Sequence, residues 1–374
     1  MRNILFVLGT RPEAIKLCPL IRHFRENLKE TRTLVCSTGQ HRHMLDQVLD
    51  FFQVRPDYEL GVMEPGQTLF ALSARLIGEI EAVCAAARPD YMVVQGDTTS
   101  AFMGALAGYY CGARVLHVEA GLRTGDLKQP FPEEGNRVLT SHLAWLHFAP
   151  TELARVNLEK EGIRANVHVV GNTVIDALLW ALPRARLGPG LEAMVREALE
   201  QQQKIVLVTG HRRESFGKPF EEICMAIRDV AQRNDVLFMY PVHLNPNVRE
   251  PVERILGGVA RVKLFAPVDY PSMVALMKAC HLVLTDSGGV QEEAPSIGKP
   301  VLVMRNATER PEGVQAGTSM LVGVDRSRIV RELNNLLDNK DEYSRMSEAR
   351  NPYGDGHASE LILQALQEVD HELR

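Results

Sequence analysis

The sequence predicts an α/β protein made of two doubly wound halves. Short apolar runs recur along the chain, each ends in a turn carrying Gly, Asp or Glu, and helical patterns separate them. The series lapses after Asn172 and resumes at Ile205, which divides the chain in two. Runs that are apolar at successive positions read as strands buried on both faces. Such strands alternating with helices form a parallel sheet covered by helices.

In the first half, Ile4 to Leu8 ends in Gly9-Thr10-Arg11-Pro12-Glu13, and a helical pattern runs from Ala14 through Phe24. Thr33 to Cys36 ends at Gly39, Tyr91 to Val94 at Gly96-Asp97, Val115 to Val118 at Glu119-Ala120-Gly121, and Val167 to Val170 at Gly171-Asn172. A helix to Trp180 follows, and Pro183 to Pro189 breaks the pattern. The second series comprises Ile205 to Val208, Val236 to Met239, Val262 to Phe265, Leu282 to Thr285 and Val301 to Met304. Its opening, Gly210-His211-Arg212-Arg213-Glu214 with Lys218 beyond, is a weak repeat of Gly9-Thr10-Arg11-Pro12-Glu13 with Lys16 beyond. The expected division is 1–172, 173–356 and a C-terminal helix in 357–374, where the pattern Ala358 to Leu373 follows the turn-rich Asn351-Pro352-Tyr353-Gly354-Asp355-Gly356.

With 374 residues, 45% hydrophobic and 24% charged, the chain has the make-up of a soluble globular protein of about two domains. A net charge of −5 and a pI near 6.2 argue against nucleic acid or an anionic membrane as the main partner. Anionic ligands must therefore be met locally. No run reaches the ~18 apolar residues of a membrane span, and Met1-Arg2-Asn3-Ile4 leads into a strand pattern instead of a secretory signal. A cytoplasmic protein is expected. The six cysteines include no C-x-x-C and no cluster with histidine, which suits small buried hydrophobes in a reducing compartment.

In a doubly wound sheet, ligands sit beyond the carboxyl ends of the strands. At one such end, Leu282-Val283-Leu284 breaks at Ser287-Gly288-Gly289 and meets Glu292-Glu293 in what reads as the first turn of a helix. Backbone N–H groups at a helix start, with the helix dipole behind them, suit phosphate, and a carboxylate nearby suits the hydroxyls of a ribose. The segment thus reads either as a cradle for a nucleotide diphosphate or as an ordinary turn with acids that favour a helix start. The first half supplies Arg11, Lys16, Asp97, Glu119, Arg123, Glu133 and Glu134 at comparable positions, and the second supplies His211, Arg212, Arg213 and Arg310. One set is rich in carboxylates and the other in anion binders, as proton transfer opposite a phosphate leaving group would need. Asp97 also reads as a helix N-cap, and one of Glu133 and Glu134 as an acidic helix start before Asn136. Glu119 ends a strand where no cap is expected. His211, between a strand end and two arginines, could donate to a phosphate or carry a proton. Arg11 and Arg310, both beside prolines, are either solvated or phosphate forks. His41-Arg42-His43 lacks a Cys or carboxylate at ligand spacing, so no metal is expected.

Six segments carry a specific resemblance: Gly9 to Lys16, Gly39-Gln40-His41-Arg42, Gln95-Gly96-Asp97-Thr98, His117 to Arg123, Gly210 to Glu214, and Asp286 to Pro295. Together they resemble the non-hydrolysing UDP-N-acetylglucosamine 2-epimerases over almost the whole chain. The resemblance implies a glycosyltransferase B-type fold, two Rossmann-like domains facing across a cleft and closing over a UDP-sugar, with the last helix crossing back to the first domain. It implies inversion at C2 to UDP-N-acetylmannosamine by anti elimination of UDP, through 2-acetamidoglucal, and re-addition, with no metal or redox cofactor. By the same resemblance Asp97, Glu119 and Glu133 are acid/base residues and His211 assists departure of UDP. Arg11, Lys16, Ser287, Gly288, Gly289 and Arg310 hold phosphates, and Glu293 holds the ribose. A homodimer serving polysaccharide biosynthesis is implied, and so is a second UDP-N-acetylglucosamine as activator, near Gln40, His43, Arg212 and His243.

The chain departs from the family at three points. Met273 stands where members often carry an aromatic that stacks on uracil, and Gly66 and His43 stand where some carry an arginine and a glutamine at the activator site. Activation would be weaker or differently built. A B-type glycosyltransferase, a hydrolysing epimerase and a non-catalytic nucleotide-sugar-binding protein are the rival readings, and the set Asp97, Glu119 and Glu133 favours the epimerase over the first and the last.

Overall fold

The computed structural model describes residues 2–39, 42–64 and 66–370, apart from the side chains of Arg42 and His43. The chain forms two compact units, residues 1–180 with 353–374, and residues 181–352.

The first unit holds β1 (Arg2–Leu8), β2 (Thr31–Ser37), β3 (Tyr58–Glu59), β4 (Tyr91–Gln95), β5 (Arg114–Val118), β6 (Leu146–Ala149) and β7 (Val167–Val169). They lie in the order β3-β2-β1-β4-β5-β6-β7, all parallel. Ile4 to Leu8 are fully buried, as the unbroken apolar run requires of a strand covered on both faces. Leu5, Val7, Met92 and Val94 pack on one face against Leu72, Leu76 and Ile80 of the helix Leu69–Ala87 and Ala101 and Ala105 of the helix Thr99–Tyr110.

The second unit repeats the plan. Its strands β8 (Lys204–Thr209), β9 (Val236–Pro241), β10 (Val262–Phe265), β11 (Leu282–Thr285), β12 (Val301–Val303) and β13 (Ser319–Leu321) run β10-β9-β8-β11-β12-β13, again all parallel. Val206, Val208, Phe238, Leu284 and Leu302 pack against Phe220, Ile223 and Ile227 of the helix Lys218–Val230 and Ile329 and Leu333 of the helix Arg326–Asp338. In each sheet the winding direction reverses beside its first strand, between β1 and β4 and between β8 and β11. Helices on either side of such a reversal leave a crevice outside the strand ends.

The C-terminal helix Ala358–Val369 belongs to the first unit. Its own N-cap position, His357, offers no side-chain cap, and Asp176 supplies one from another helix by accepting the N–H groups of Ala358 at 3.2 Å and Ser359 at 2.7 Å. At the other end Asp370 accepts from Arg114 at 2.8 Å and from the Tyr91 hydroxyl. No helix among the described residues is long and apolar enough to cross a membrane.

Candidate active site

In the first unit the carboxylates gather where β4 and β5 end. Gln95 and Val118 are in register, so the turns that follow them lie side by side. Glu119 adopts φ +62°, a left-handed conformation that costs a non-glycine residue about 1–2 kcal/mol. The conformation swings its side chain into a buried network. Oε1 pairs with Lys16 Nζ and accepts from Asn172 Nδ2 at 3.0 Å, while Oε2 accepts from Gln95 Nε2. Lys16 reaches this point from the helix Arg11–Asn27, its side chain 9% exposed. Arg11 opens that helix and is half-buried. Donors thus occupy both oxygens of Glu119.

Asp97 is differently placed. The helix after β4 is capped by Thr98, whose Oγ1 accepts from Ala101 N at 3.0 Å, so Asp97 is released from the capping role that its position suggests. Its Oδ2 accepts from Arg137 Nη2 at 2.5 Å, and its side chain remains 28% exposed. Burial pushes the carboxyl above the usual carboxylate range, Arg137 opposes the shift, and the charges of Glu119 and Glu133 add to it. Glu133 begins the helix Glu133–Leu143, three residues earlier than the pattern from Asn136 indicates, and stands half-buried without a hydrogen bond among the described residues. Glu134, beside it, has a structural role: its Oε1 accepts the N–H groups of Thr124 and Gly125, each at 3.0 Å, and its Oε2 lies 3.4 Å from Nη1 of Arg137. Arg123 is likewise structural, forked onto Glu161 at 2.7 and 2.8 Å. Three neighbouring carboxylates therefore have three environments: a fixed anion, a partly shielded acid with a raised pKa, and an open one.

Two buried groups hold this edge in shape. His117 Nε2 lies 2.8 Å from the Gly96 carbonyl, which can only accept, so Nε2 carries the proton, and burial drives the ring's pKa down to about 3. Glu13 accepts from the backbone N–H groups of Gly9 and Thr10 and from the hydroxyls of Thr10 and Thr98, at 2.7 to 3.1 Å. Burial pushes its carboxyl up to about 7 against those four donors.

In the second unit the candidate residues flank β8 and β11. Ser287 precedes a six-residue helix, Gly288–Glu293, so Glu292 and Glu293 close the helix instead of opening it, and a helix start does not account for them. Each has another partner. Glu292 Oε1 accepts from Arg310 Nε at 2.9 Å, and Glu293 Oε1 accepts from the buried Tyr270 hydroxyl at 2.8 Å. Gly288 leaves room for the guanidinium, since a Cβ there would stand 2.8 Å from Cζ of Arg310 and push that group aside. Arg310 is thereby held beside Ser287 to Gly289 by Glu292 and, at 3.5 Å, by Glu309. Glu309 is itself kept charged, its pKa lowered to about 2, with Arg305, Arg310 and Arg212 outweighing its burial. His211 and Arg212 follow the Gly210 turn, and Asp286 Oδ2 accepts both their N–H groups, at 2.7 and 2.8 Å. The His211 ring stacks on His243 with centroids 5.3 Å apart. Gln40 and the side chain of His43 lie outside the described residues. Gln95, Asn172, Arg137, Tyr270 and Asp286 contact the candidate residues without having been candidates themselves. The only sequence signal for Gln95 and Asp286 is their place inside quoted motifs.

The profile of the family described as UDP-N-acetylglucosamine 2-epimerase matches residues 25–367. The UDP-N-acetylglucosamine 2-epimerases of Salmonella typhimurium and of Escherichia coli K12 are 53% and 52% identical to this chain, each over 98% of both sequences. Among solved structures, the Neisseria meningitidis UDP-GlcNAc 2-epimerase bound to UDP-GlcNAc superposes with a TM-score of 0.90 at 43% identity, over 98% of this chain and 100% of that one. The Methanocaldococcus jannaschii UDP-GlcNAc 2-epimerase in complex with UDP-GlcNAc and UDP gives 0.82 at 33%, over 98% and 100%. The fold is of the glycosyltransferase B type, with two Rossmann-like parallel-sheet units. With the profile and these relatives matching nearly its whole length, the chain belongs to the UDP-N-acetylglucosamine 2-epimerase family.

Proposed function

We propose that the protein interconverts UDP-N-acetylglucosamine and UDP-N-acetylmannosamine without hydrolysis, by anti elimination of UDP to 2-acetamidoglucal and re-addition. A carboxylate takes the C2 proton, the C2–H electrons form the C1=C2 bond, and the C1–O electrons leave with UDP. In the return step the bond to UDP re-forms and C2 receives a proton on the opposite face. Nothing is oxidised or reduced overall, so the reaction calls for no redox cofactor.

The observation that carries this reading is the trio Asp97, Glu119 and Glu133 in three unlike environments. Carboxyl groups whose surroundings differ can divide acid and base work between them. Asp97 and Glu133, with an oxygen or a whole carboxylate left open, are suited to moving protons at C2. Glu119, locked on Lys16, Asn172 and Gln95, supplies a fixed negative field. UDP would be held through Arg11, Lys16, Ser287, Gly288, Gly289 and Arg310 at the diphosphate and Glu293 at the ribose. His211 would donate to the departing phosphate oxygen, where charge develops. A second UDP-N-acetylglucosamine acting as activator at Arg212 and His243, a homodimer and a cytoplasmic setting belong to the same proposal. The stack of His243 on His211 supports the first of these, since it joins a proposed activator residue to a proposed catalytic one.

The test is incubation with UDP-N-acetylglucosamine in deuterated water without an acceptor, followed by NMR of the sugar. Deuterium at C2 with intact UDP-N-acetylmannosamine is the expected result. Stoichiometric free UDP and free sugar would establish hydrolysis instead, and no exchange would overturn the proposal.

A further inference from the structure

His211 and Asp286 sit on neighbouring turns. Thr209 and Thr285 are in register across β8 and β11, so the segments that leave these strands emerge together. Asp286 is 2% exposed and spends Oδ2 on the backbone N–H groups of His211 and Arg212. Its Oδ1 is buried without a hydrogen bond and lies 3.6 Å from Nδ1 of His211. A buried carboxylate oxygen left unpaired costs free energy, and 3.6 Å exceeds a hydrogen bond by about half an ångström. The His211 side chain is 44% exposed, so a small rotation of the ring closes that gap. The ring lies nearly parallel to that of His243, with 13° between the two.

The geometry points to Asp286 as the positioning residue of His211, one oxygen holding the loop backbone and the other taking the Nδ1–H, so that Nε2 is turned toward the anionic oxygen of the leaving group. The inference rests on the reading that His211 serves the departure of UDP. A ring with its proton on Nδ1 presents Nε2 as an acceptor when neutral, and as a donor when charged. A carboxylate at Nδ1 selects that tautomer and favours the charged ring, as second partners of functional histidines do elsewhere. Asp286 gains no proton in this role. Among the described residues, Asp286 faces the ring as an anion, while Arg212 on the same loop and His243, when protonated, oppose a positive charge on His211.

The full-length protein with ¹⁵N-labelled imidazoles provides the test, His211 being assigned by its loss in His211→Asn. Asp286→Asn keeps the size of the side chain and an oxygen for the two backbone N–H groups, but turns an NH₂ toward Nδ1. Neutral His211 should change from the Nδ1–H to the Nε2–H tautomer, and its titration midpoint should fall by about one pH unit or more. The kcat for C2 exchange should drop about tenfold or more with KM nearly unchanged, and Asp286→Glu should recover part of the midpoint. An unchanged tautomer and midpoint in Asp286→Asn would overturn the assignment. So would an Nε2–H tautomer in the wild-type protein, which needs no variant to fold. Wild type with the Nδ1–H tautomer but no C2 exchange would uphold the pair and remove the epimerase reading; exchange with the Nε2–H tautomer would do the reverse.

Discussion

Glu119→Gln keeps the volume and backbone of Glu119 and deletes one charge from a pair whose side chains are 9% and 6% exposed. Removing one partner of a buried ion pair costs ~3–5 kcal/mol, because the other charge has lost its compensation. Here the glutamine oxygen can still accept from Lys16 and Asn172, its NH₂ can donate to Gln95 once that amide turns over, and Asp97 lies within the field of the ammonium, so the lower end applies, about 3 kcal/mol. In a unit of roughly two hundred residues each kcal/mol moves Tm by about 2–4 °C, which gives a fall of ~6–12 °C. Lys16→Met should cost a similar amount for the opposite reason, leaving the carboxylate with amide donors in place of a cation. The double variant removes both charges, so its loss should be smaller than the sum by about 2 kcal/mol or more. Calorimetry on the four proteins, following the transition that the single variants shift, measures that coupling. Costs that add to within ~0.5 kcal/mol would refute the pairing.

His117→Gln should make the fold less sensitive to acid. The folded pKa of His117, about 3, lies below its ordinary 6.5, so its contribution is fully present above pH 6.5 and is lost as pH falls toward 3, at up to ~1.4 kcal/mol per unit. Glu13, raised to about 7, acts in the opposite sense between 7 and 4.5, but does so in both proteins and cancels from the comparison. The wild-type advantage in urea midpoint should therefore shrink on acidification, and a constant advantage would contradict the buried neutral ring. Tyr270→Phe deletes the O–H that donates 2.8 Å to Glu293 and should weaken UDP about fivefold by calorimetric titration, roughly 1 kcal/mol, with kcat unchanged. An unaltered Kd would mean that Glu293 does not hold the ribose.

Strands were legible wherever the chain is apolar at successive positions, as in Ile4 to Leu8 or Leu282 to Thr285. β6 was not, because His147 interrupts Leu146-His147-Phe148-Ala149; the ring is nevertheless buried, with Nε2 2.8 Å from the Ser141 carbonyl. β3 has two residues and β13 begins with a serine, too little pattern for either to register. The strand ends that carry Asp97, Glu119, His211 and Ser287 followed from the same apolar runs. Local pattern misled on caps, where Thr98 takes the place that Asp97 could have filled, and on Glu292 and Glu293, which end a helix too short to place them in its first turn. It was silent on Asn172, an amide 53 residues from Glu119 that only the folded sheet brings to the carboxylate.

The return of the chain end to the first unit bears on how the protein is made. Residues 1–180 leave the ribosome before residues 181–352, yet the helix that Asp176 caps and the Asp370 carboxylate that holds Tyr91 and Arg114 follow both. Ile362, Leu363 and Leu366, all buried, join a unit whose other parts were made before residues 181–352. Residues 181–352 form one unbroken stretch and need nothing from outside it to close their sheet. The later half of the sequence can thus reach its finished form earlier. A nascent chain stalled short of the helix Ala358–Val369 would carry a finished second unit and a first unit still open to proteases and chaperones.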